Sequence, residues 1–184
     1  MNFIGRFTLS TLIGFAIAGL FHIGIVLYMP QIAKNSAYHR ISSMAEEGKT
    51  ILIPQEGKDA WLPAPDPFMA MAACSFDVTT APMRISIDRS SVFYSLSIHD
   101  RHNKVLIAAT DRAALGDSLD IIAGTSAQIE KLKAASEKSQ ESLHELYVIM
   151  DEPKGYAVTR VLSPYPSFQT IAHETAQKLA CVRY

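Results

Sequence analysis

The sequence predicts an α+β protein, with an N-terminal transmembrane helix followed by an antiparallel β-sheet or small β-sandwich domain with two helices. Three observations lead to this prediction. Residues 7–29 form an uncharged apolar run, short segments between residues 75 and 162 alternate apolar with polar residues, and two stretches have helical spacing. We divide the chain into a transmembrane anchor, 1–33, a tether, 34–65, and an exported α+β domain, 66–184.

The N-terminal run reads FTLSTLIGFAIAGLFHIGIVLYM and contains no Asp, Glu, Lys or Arg. A hydrocarbon core of about 30 Å requires about 20 apolar residues in a helix, so the run is long enough to cross a bilayer. The alternative is a cleaved signal peptide, whose apolar core of about 7–15 residues ends at a small-x-small site. The nearest candidate site, Gln31-Ile32-Ala33, has a large residue in place of a small one, which favours an uncleaved anchor. The lipid bilayer is therefore the first expected partner.

The charge of the remaining chain excludes one class of partner. The protein has 17 Lys and Arg and 18 Asp and Glu, and Arg6 is the only one of these before residue 30, so residues 30–184 carry 16 basic and 18 acidic residues, a formal charge of −2. Nucleic-acid binding requires a basic patch, which this composition does not provide. Charge does not settle orientation, because large domains can cross a membrane largely regardless of flanking charge.

Period-two alternation and turn residues predict eight strands in the domain and its tether. Ser91–His99 is the clearest of them, with Val92, Tyr94, Leu96 and Ile98 on one face and Phe93, Ser95 and Ser97 on the other. The turn Glu152-Pro-Lys-Gly155 is expected to join the last two strands as a hairpin. The predicted strands are Ile51–Ile53, Ser75–Val78, Met83–Ile87, Ser91–His99, Lys104–Ala109, Ser118–Ala123, Leu146–Met150 and Tyr156–Leu162.

Two helices are predicted from their N-terminal signals. Thr125-Ser-Ala-Gln128 is a capping box, in which Thr caps the first turn and Gln reaches back, and it predicts a helix over 126–135. Ser167 is expected to cap a last helix with an apolar stripe at Phe168, Ile171, Ala172, Thr175 and Leu179. The three prolines of Trp61–Phe68 predict an extended path, and Pro67 a helical turn through Met71. Lys133–Glu145 is either a solvated helix extension or a loop.

Several pieces of the domain occur in a characteristic order: Asp66–Asp77, Ala81–Arg84, Phe93–Arg101, Thr110–Arg112, Gly155–Leu162, the pair Pro164 and Pro166, and Cys181. In this order they resemble the DUF1254/DUF1214-type bacterial membrane-anchored proteins, a family known only as a domain of unknown function. The resemblance implies an N-terminal anchor, an exported β-rich domain and no established activity.

The two cysteines, Cys74 and Cys181, are predicted to form one disulfide. An even cysteine count in an exported domain is typical of oxidation, and the family that this chain resembles tends to carry cysteines at both places. Cys74 is expected just before the first strand of the domain and Cys181 at the end of its last helix. The alternative is two separate buried thiols, because Cys is often a small core residue.

Two Asp-Arg pairs, Asp100-Arg101 and Asp111-Arg112, are the candidate ligand-binding residues. They flank one predicted strand, and their guanidinium groups could hold an anion bidentately. The alternative is structural, with Asp capping a turn and Arg pairing with a nearby carboxylate, and hairpin ends favour it. No catalytic residue is assigned.

Other constellations give weaker signals. His99 and His102 lie on either side of a turn, which is a poor match to metal-ligand spacing, so no metal site and no cofactor are predicted. The sequence contains no nucleophile elbow, Walker A or G-x-G-x-x-G motif. Phe93, Tyr94 and Tyr156 could line an apolar pocket, although a sandwich core explains them better.

These observations favour a membrane-anchored envelope module that binds a ligand or another envelope protein. The expected location is the inner membrane, crossed once, with the C-terminal domain in the periplasm. The alternative is an enzyme acting on a small molecule or on envelope glycan or lipid, with Asp100, Arg101, Asp111 and Arg112 lining its pocket.

Overall fold

The computed structural model describes residues 3–32, 36–54, 60, 66–114, 116–139 and 145–184. The chain divides into two units, Met1–Asn35 and Ser36–Tyr184. The first unit is helix α1 (Phe3–Ile32). Among the described residues, its segment Phe3–Met29 is the one helix with the length and apolar composition needed to cross a membrane.

In its described residues, the second unit is an α+β domain of two sheets and three α-helices. In chain order its elements are α2 (Ala37–Met44), β1 (Ile51–Leu52), β2 (Met69–Asp77), β3 (Met83–Asp88), β4 (Tyr94–Asp100), β5 (Val105–Thr110), β6 (Ser118–Gly124), α3 (Ser126–Ser139), β7 (Glu145–Ile149), β8 (Lys154–Leu162), α4 (Gln169–Gln177) and β9 (Ala180–Arg183).

The strands form two separate sheets. Sheet A has the order β1-β2-β8-β4-β5, with every neighbouring pair antiparallel. Sheet B has the order β7-β6-β3-β9, and its pairs are antiparallel except for the parallel pair β6–β7. Of the two predicted arrangements, an antiparallel sheet or a small sandwich, the sandwich is observed, with one parallel pair at an edge.

One main core lies between the inner faces of the two sheets. The alternation predicted for Ser91–His99 is confirmed, because Val92, Tyr94, Leu96 and Ile98 all lie in this core. Sheet B contributes Ile85, Ile87, Leu119 and Ile121 to the same cluster. Every second residue of a strand points to the same face, which is why the alternating pattern located this core.

The disulfide Cys74–Cys181 joins the two sheets through this core. Its Cα atoms are 6.6 Å apart, and both residues are buried. The pairing was predicted correctly, but the positions of both cysteines were not. Cys74 lies within β2 and Cys181 within β9, because β2 begins at Met69 and the chain forms a further strand after α4.

Helix α2 lies within the predicted tether, 34–65. It was not predicted, and it adds a third helix to the two expected in the domain. Its side chains Tyr38 and Ile41 pack on the outer face of sheet A against Ala73, Tyr156 and Val158. The compact unit accordingly begins at Ser36 rather than at residue 66. The sequence signal was weak because α2 has only two turns and buries only these two side chains.

The other helices largely follow their predictions. In the capping box, Thr125 N donates to Gln128 Oε1 at 2.9 Å and Gln128 N donates to Thr125 Oγ1 at 3.4 Å. Helix α3 continues to Ser139, so the stretch 133–139 is the helix extension, while 140–144 lie outside the described residues. A 3-10 turn, Pro166–Phe168, precedes α4, so Phe168 rather than Ser167 occupies the cap position.

Two predictions about chain path were wrong. β7 and β8 do not form a hairpin, since β7 pairs with β6 in sheet B while β8 lies between β2 and β4 in sheet A. The turn after Met150 instead carries the chain from one sheet to the other. Pro67 does not open a helical turn, because β2 begins at Met69 and pairs with β8 over nine residues. The first part of the predicted extended path, 61–65, lies outside the described residues.

Candidate functional site

The first candidate pair, Asp100-Arg101, closes the turn between β4 and β5. Asp100 Oδ1 accepts hydrogen bonds from the backbone N of His102 at 2.8 Å and of Lys104 at 2.9 Å. Asn103 has a φ of 69°, a left-handed conformation that Asn tolerates better than most residues. Asp100 therefore has the turn-capping role that the structural alternative assigned to it.

Arg101 links this turn to the crossover between the two sheets. Its Nε lies 2.5 Å from Glu152 Oε2, and the same carboxylate has its Oε1 3.3 Å from His102 Nε2. Both partners of the Arg101–Glu152 pair are substantially exposed, so the pair contributes at most about 1 kcal/mol. Arg101 is thus already paired with a carboxylate.

The second pair, Asp111-Arg112, lies at the other end of β5. Asp111 opens a 3-10 turn and its backbone O accepts from Ala114 N at 3.3 Å, whereas Arg112 is exposed. The six residues of β5 span about 20 Å, so the two pairs stand too far apart to surround one small ligand together. Each pair has to be considered by itself.

A different set of polar side chains converges on the outer face of sheet A. We call Ser97 and His99 on β4 and Arg160 on β8 the Arg160 cluster. His99 Nε2 lies 3.0 Å from Ser97 Oγ, and Arg160 Nη1 donates to the same oxygen at 3.3 Å. The Ser97 hydroxyl in turn donates to the backbone O of Val158 at 3.3 Å. Ser97 therefore connects the other two side chains of the cluster, His99 and Arg160.

The register of sheet A places these three residues together. Ser97 pairs with Val158, Ser95 with Arg160 and His99 with Tyr156 across the antiparallel strands β4 and β8. Residues Leu96 and Ile98 point into the core, so Ser97 and His99 point outward on the same face. Gly155, near the start of β8, allows the backbones of β4 and β8 to lie this close together, because a Cβ there would lie 2.6 Å from the backbone O of His99.

The His99 ring is fixed by stacking and partly removed from water. Its ring lies parallel to that of Tyr156, with centroids 4.8 Å apart, and the Tyr156 hydroxyl donates to Asn103 Oδ1 at 3.0 Å. Burial lowers the pKa of His99, and the positive charge of Arg160 lowers it further, while the Asn103 backbone and Asp100 oppose the shift. His99 is therefore neutral near pH 7.

Arg160 lacks a counter-ion among the described residues. No carboxylate in this part of the chain lies within 4.0 Å of its guanidinium, and its one hydrogen bond is to Ser97. The side chain is only partly exposed. A half-buried cation without a carboxylate partner has unused capacity to bind an anion.

The outer face of sheet B carries a second arginine in different surroundings. We call Arg84, Asp120, Glu145 and Tyr147 the Arg84 cluster. Arg84 Nε donates to Asp120 Oδ1 at 2.9 Å and lies 3.9 Å from Glu145 Oε1, and Ser118 donates to the other Asp120 oxygen. Both carboxylate side chains are nearly buried, with 8% and 11% of their surface exposed.

Glu145 is a carboxyl of this cluster whose pKa departs from its ordinary value. Burial raises the pKa of the Glu145 carboxyl, Arg84 offsets part of that rise, and the Asp120 carboxylate adds to it. The hydroxyls of Tyr147 and Tyr184 lie beside this carboxylate and favour its charged form, although Tyr147 Oη and Glu145 Oε2 reach no hydrogen-bond geometry within the described chain. The Arg84 cluster joins β3, β6 and the edge strand β7, which is a structural role.

The remaining sequence candidates do not assemble into one site. His99 contacts Ser97, whereas His102 contacts Arg101 and Glu152. No group of three or more His, Cys, Asp or Glu residues in the described ranges is placed to hold a metal ion. Tyr94 lies in the main core, whereas Tyr156 lies under α2 on the opposite face of sheet A, so the two rings do not line a common pocket.

Comparison with known proteins supports the fold. The structure of the VPA0106 protein from Vibrio parahaemolyticus matches 79% of this chain with a TM-score of 0.55 and 11% sequence identity. An uncharacterized protein from Burkholderia cenocepacia matches 78% of the chain with a TM-score of 0.47 and 13% identity. This chain spans 33% and 37% of the lengths of those two chains. At 11% identity the likeness to the Vibrio parahaemolyticus structure concerns the fold alone.

No protein-family model matches the chain, and no curated protein matches it. The resemblance to the DUF1254/DUF1214 type therefore stays a prediction.

The Arg160 cluster was not predicted from the sequence. Its signal was the polar side of β4, where Ser95, Ser97 and His99 alternate with apolar core residues. Arg160, 61 residues after His99, could be joined to them only by the pairing of β4 with β8, and the sequence suggested a different partner for β8.

Proposed function

We propose that this protein is a membrane-anchored module of the cell envelope, whose domain lies in the periplasm and binds a ligand or another envelope protein. The anchor in this proposal is the segment Phe3–Met29, which has the length and apolar composition to cross a membrane. The Cys74–Cys181 disulfide supports an oxidising compartment, because cytosolic cysteine pairs are normally kept reduced.

The observation that carries a binding function is the Arg160 cluster. Three polar side chains converge on one sheet face, and one of them is a cation without a carboxylate partner among the described residues. Natural proteins rarely leave a partly buried charge unpaired for structural reasons, because removing a charge from water is costly. A ligand that supplies the missing partner accounts for the arrangement.

The location is tested with two fusions to Tyr184 of the full chain. Alkaline phosphatase folds into an active form only outside the cytoplasm, and the second fusion is a fluorescent protein that matures only in the cytoplasm. We expect an active phosphatase and a dark fluorescent fusion. An inactive phosphatase with a bright fluorescent fusion would contradict the periplasmic location.

The binding function is tested by purifying the full chain in mild detergent and identifying what comes with it by mass spectrometry. We expect a small molecule or an envelope protein at near-stoichiometric amount, and we expect less of it with Arg160→Gln. Purification without any bound molecule or protein, at several detergent concentrations, would count against a binding module.

An enzyme is the second candidate function. The observation that favours it is the 3.0 Å distance between Ser97 Oγ and His99 Nε2, which is within reach for a nucleophile and its base. The candidate polar groups Asp100, Arg101, Asp111 and Arg112 lie at the two ends of β5 instead. A fluorophosphonate probe that labels the native chain but not Ser97→Ala would support the enzyme, and no labelling would favour the binding module.

A further inference from the structure

We infer that the Arg160 cluster is a binding site for an anionic group, a carboxylate or a phosphate, on a small soluble molecule. This inference rests on the proposed binding function and names the chemistry of the ligand. Arg160 would hold the anion with the guanidinium nitrogens that Ser97 does not use, and Ser97 and His99 would complete the site.

The guanidinium has free hydrogen-bonding capacity. It carries five N–H groups in a planar fork, and Nη1 makes the one hydrogen bond in the described structure, to Ser97 Oγ. A fork of this shape matches two oxygens of a carboxylate or phosphate. The sheet holds the Arg160 backbone between β2 and β4, so the base of the side chain is well fixed.

The neighbouring groups favour a negatively charged ligand over a neutral one. Among the described residues, Asp100 is the carboxylate that acts on His99, and its Oδ1 is engaged by two backbone N–H groups of the turn. Tyr156 on β8 has a pKa raised by burial and is therefore neutral, and β5 faces His99 with Val105. Arg160 thus carries a positive charge on this face without a carboxylate partner among the described residues, and its field attracts anions.

His99 adds a proton-linked contribution to the same site. In the free protein the ring is neutral, because burial and Arg160 both disfavour its charged form. A bound anion would neutralise Arg160 and would itself favour an imidazolium, so binding raises the pKa of His99. By linkage, acidification through that pKa must strengthen binding of the anion.

The test uses the full chain in detergent micelles and three probes. Sulfate represents a phosphate group and acetate represents a carboxylate. Vesicles containing phosphatidylglycerol represent a lipid headgroup. Binding is followed by calorimetry and by the backbone NMR shifts of Ser97, His99 and Arg160. Arg160→Gln is compared with Arg112→Gln, which removes an exposed arginine beyond the far end of β5, and circular dichroism verifies that both variants fold.

We expect saturable shifts at Ser97, His99 and Arg160 with sulfate or acetate. Arg160→Gln should weaken this binding at least about tenfold, because charge-assisted hydrogen bonds are lost, whereas Arg112→Gln should not change it. Sulfate keeps its charge between about pH 6 and about pH 8, and its affinity should rise toward the lower pH in the native chain but not in His99→Gln.

Three results would overturn the inference. Equal binding by native chain and Arg160→Gln would show that the anion binds elsewhere, while leaving a binding function intact. Absence of saturable shifts with both soluble anions would remove the site. Binding to anionic vesicles alone, lost in Arg160→Gln, would transfer the site to a lipid headgroup and contradict the soluble ligand.

Discussion

The outer faces of the two sheets each present an arginine, and the two arginines differ in their partners. On sheet B, Arg84 is bound to Asp120 and lies near Glu145, so its charge is more than balanced. On sheet A, Arg160 has a hydroxyl partner, Ser97, and no carboxylate among the described residues within 4.0 Å. The comparison separates an arginine that holds strands together from an arginine with unused hydrogen-bonding capacity, which we propose as the anion site.

The largest effect is expected for removal of the disulfide that joins the two sheets. Replacing both Cys74 and Cys181 with Ala should lower the free energy of unfolding by up to about 4–5 kcal/mol, because the bridge closes a loop of 107 residues in the unfolded chain. The measurement is denaturant unfolding of the native chain and the double variant. A loss below about 1 kcal/mol would mean that the bridge adds little to a core that is already formed.

The next effect contrasts the two arginines directly. Arg84→Gln should lower the free energy of unfolding by about 1–3 kcal/mol, because nearly buried Asp120 loses its charged partner. Arg160→Gln should change the free energy of unfolding by no more than about 0.5 kcal/mol, because no carboxylate among the described residues loses a charged partner. Denaturant unfolding of both variants provides the measurement. Equal losses would break the distinction between a structural and an available arginine.

The two faces should also respond to pH in opposite directions. The folded pKa of His99 lies below its ordinary value of 6.5, so the stability from its neutral ring is present above that pH and is lost as pH falls through the folded pKa. The folded pKa of Glu145 lies above its ordinary value of 4.5, so the stability from its neutral carboxyl is present below that pH and is lost as pH rises through the folded pKa.

Single variants isolate these two contributions. His99→Gln should flatten the fall in stability as the pH is lowered below 6.5, and Glu145→Gln should flatten the fall as the pH is raised above 4.5. Thermal or denaturant unfolding across this range measures both. A His99→Gln variant whose stability follows the native pH profile would show that His99 titrates as it does in the unfolded chain.

The smallest effects are expected at the Asp-Arg pairs. Arg101→Gln should cost at most about 1 kcal/mol, because its exposed pair with Glu152 is lost, and Arg112→Gln should cost close to nothing. Neither variant should weaken the binding of sulfate or acetate. If either variant kept its melting temperature but lost binding of sulfate or acetate, the candidate site would move from Arg160 to that arginine.

Local signals explain what the sequence predicted well. The capping box is formed by residues three positions apart, and the core face of β4 follows from alternation, so both could be recognised without knowledge of the rest of the fold. Long-range pairing explains what was missed. Glu152-Pro-Lys-Gly155 is typical of a hairpin turn, but burial of β7 and β8 in different sheets overrides that local preference.

The candidate site depended on the same long-range information. The Asp-Arg pairs are visible as motifs in the chain, and the structure uses Asp100 and Arg101 in turns and surface pairing. Ser97 and His99 could be placed on the outer face of β4 from the sequence. Arg160 joins them only because β8 lies beside β4, and whether an arginine has a carboxylate partner is a property of the folded chain.

The pKa of His99, measured by NMR with and without sulfate in the native chain and in Arg160→Gln, tests the central claim most directly. If the Arg160 charge is unneutralised in the free protein, sulfate should raise the pKa of His99 in the native chain. Arg160→Gln should raise this pKa without sulfate and abolish the effect of sulfate. A His99 pKa that is the same in all four samples would contradict an available cation at Arg160.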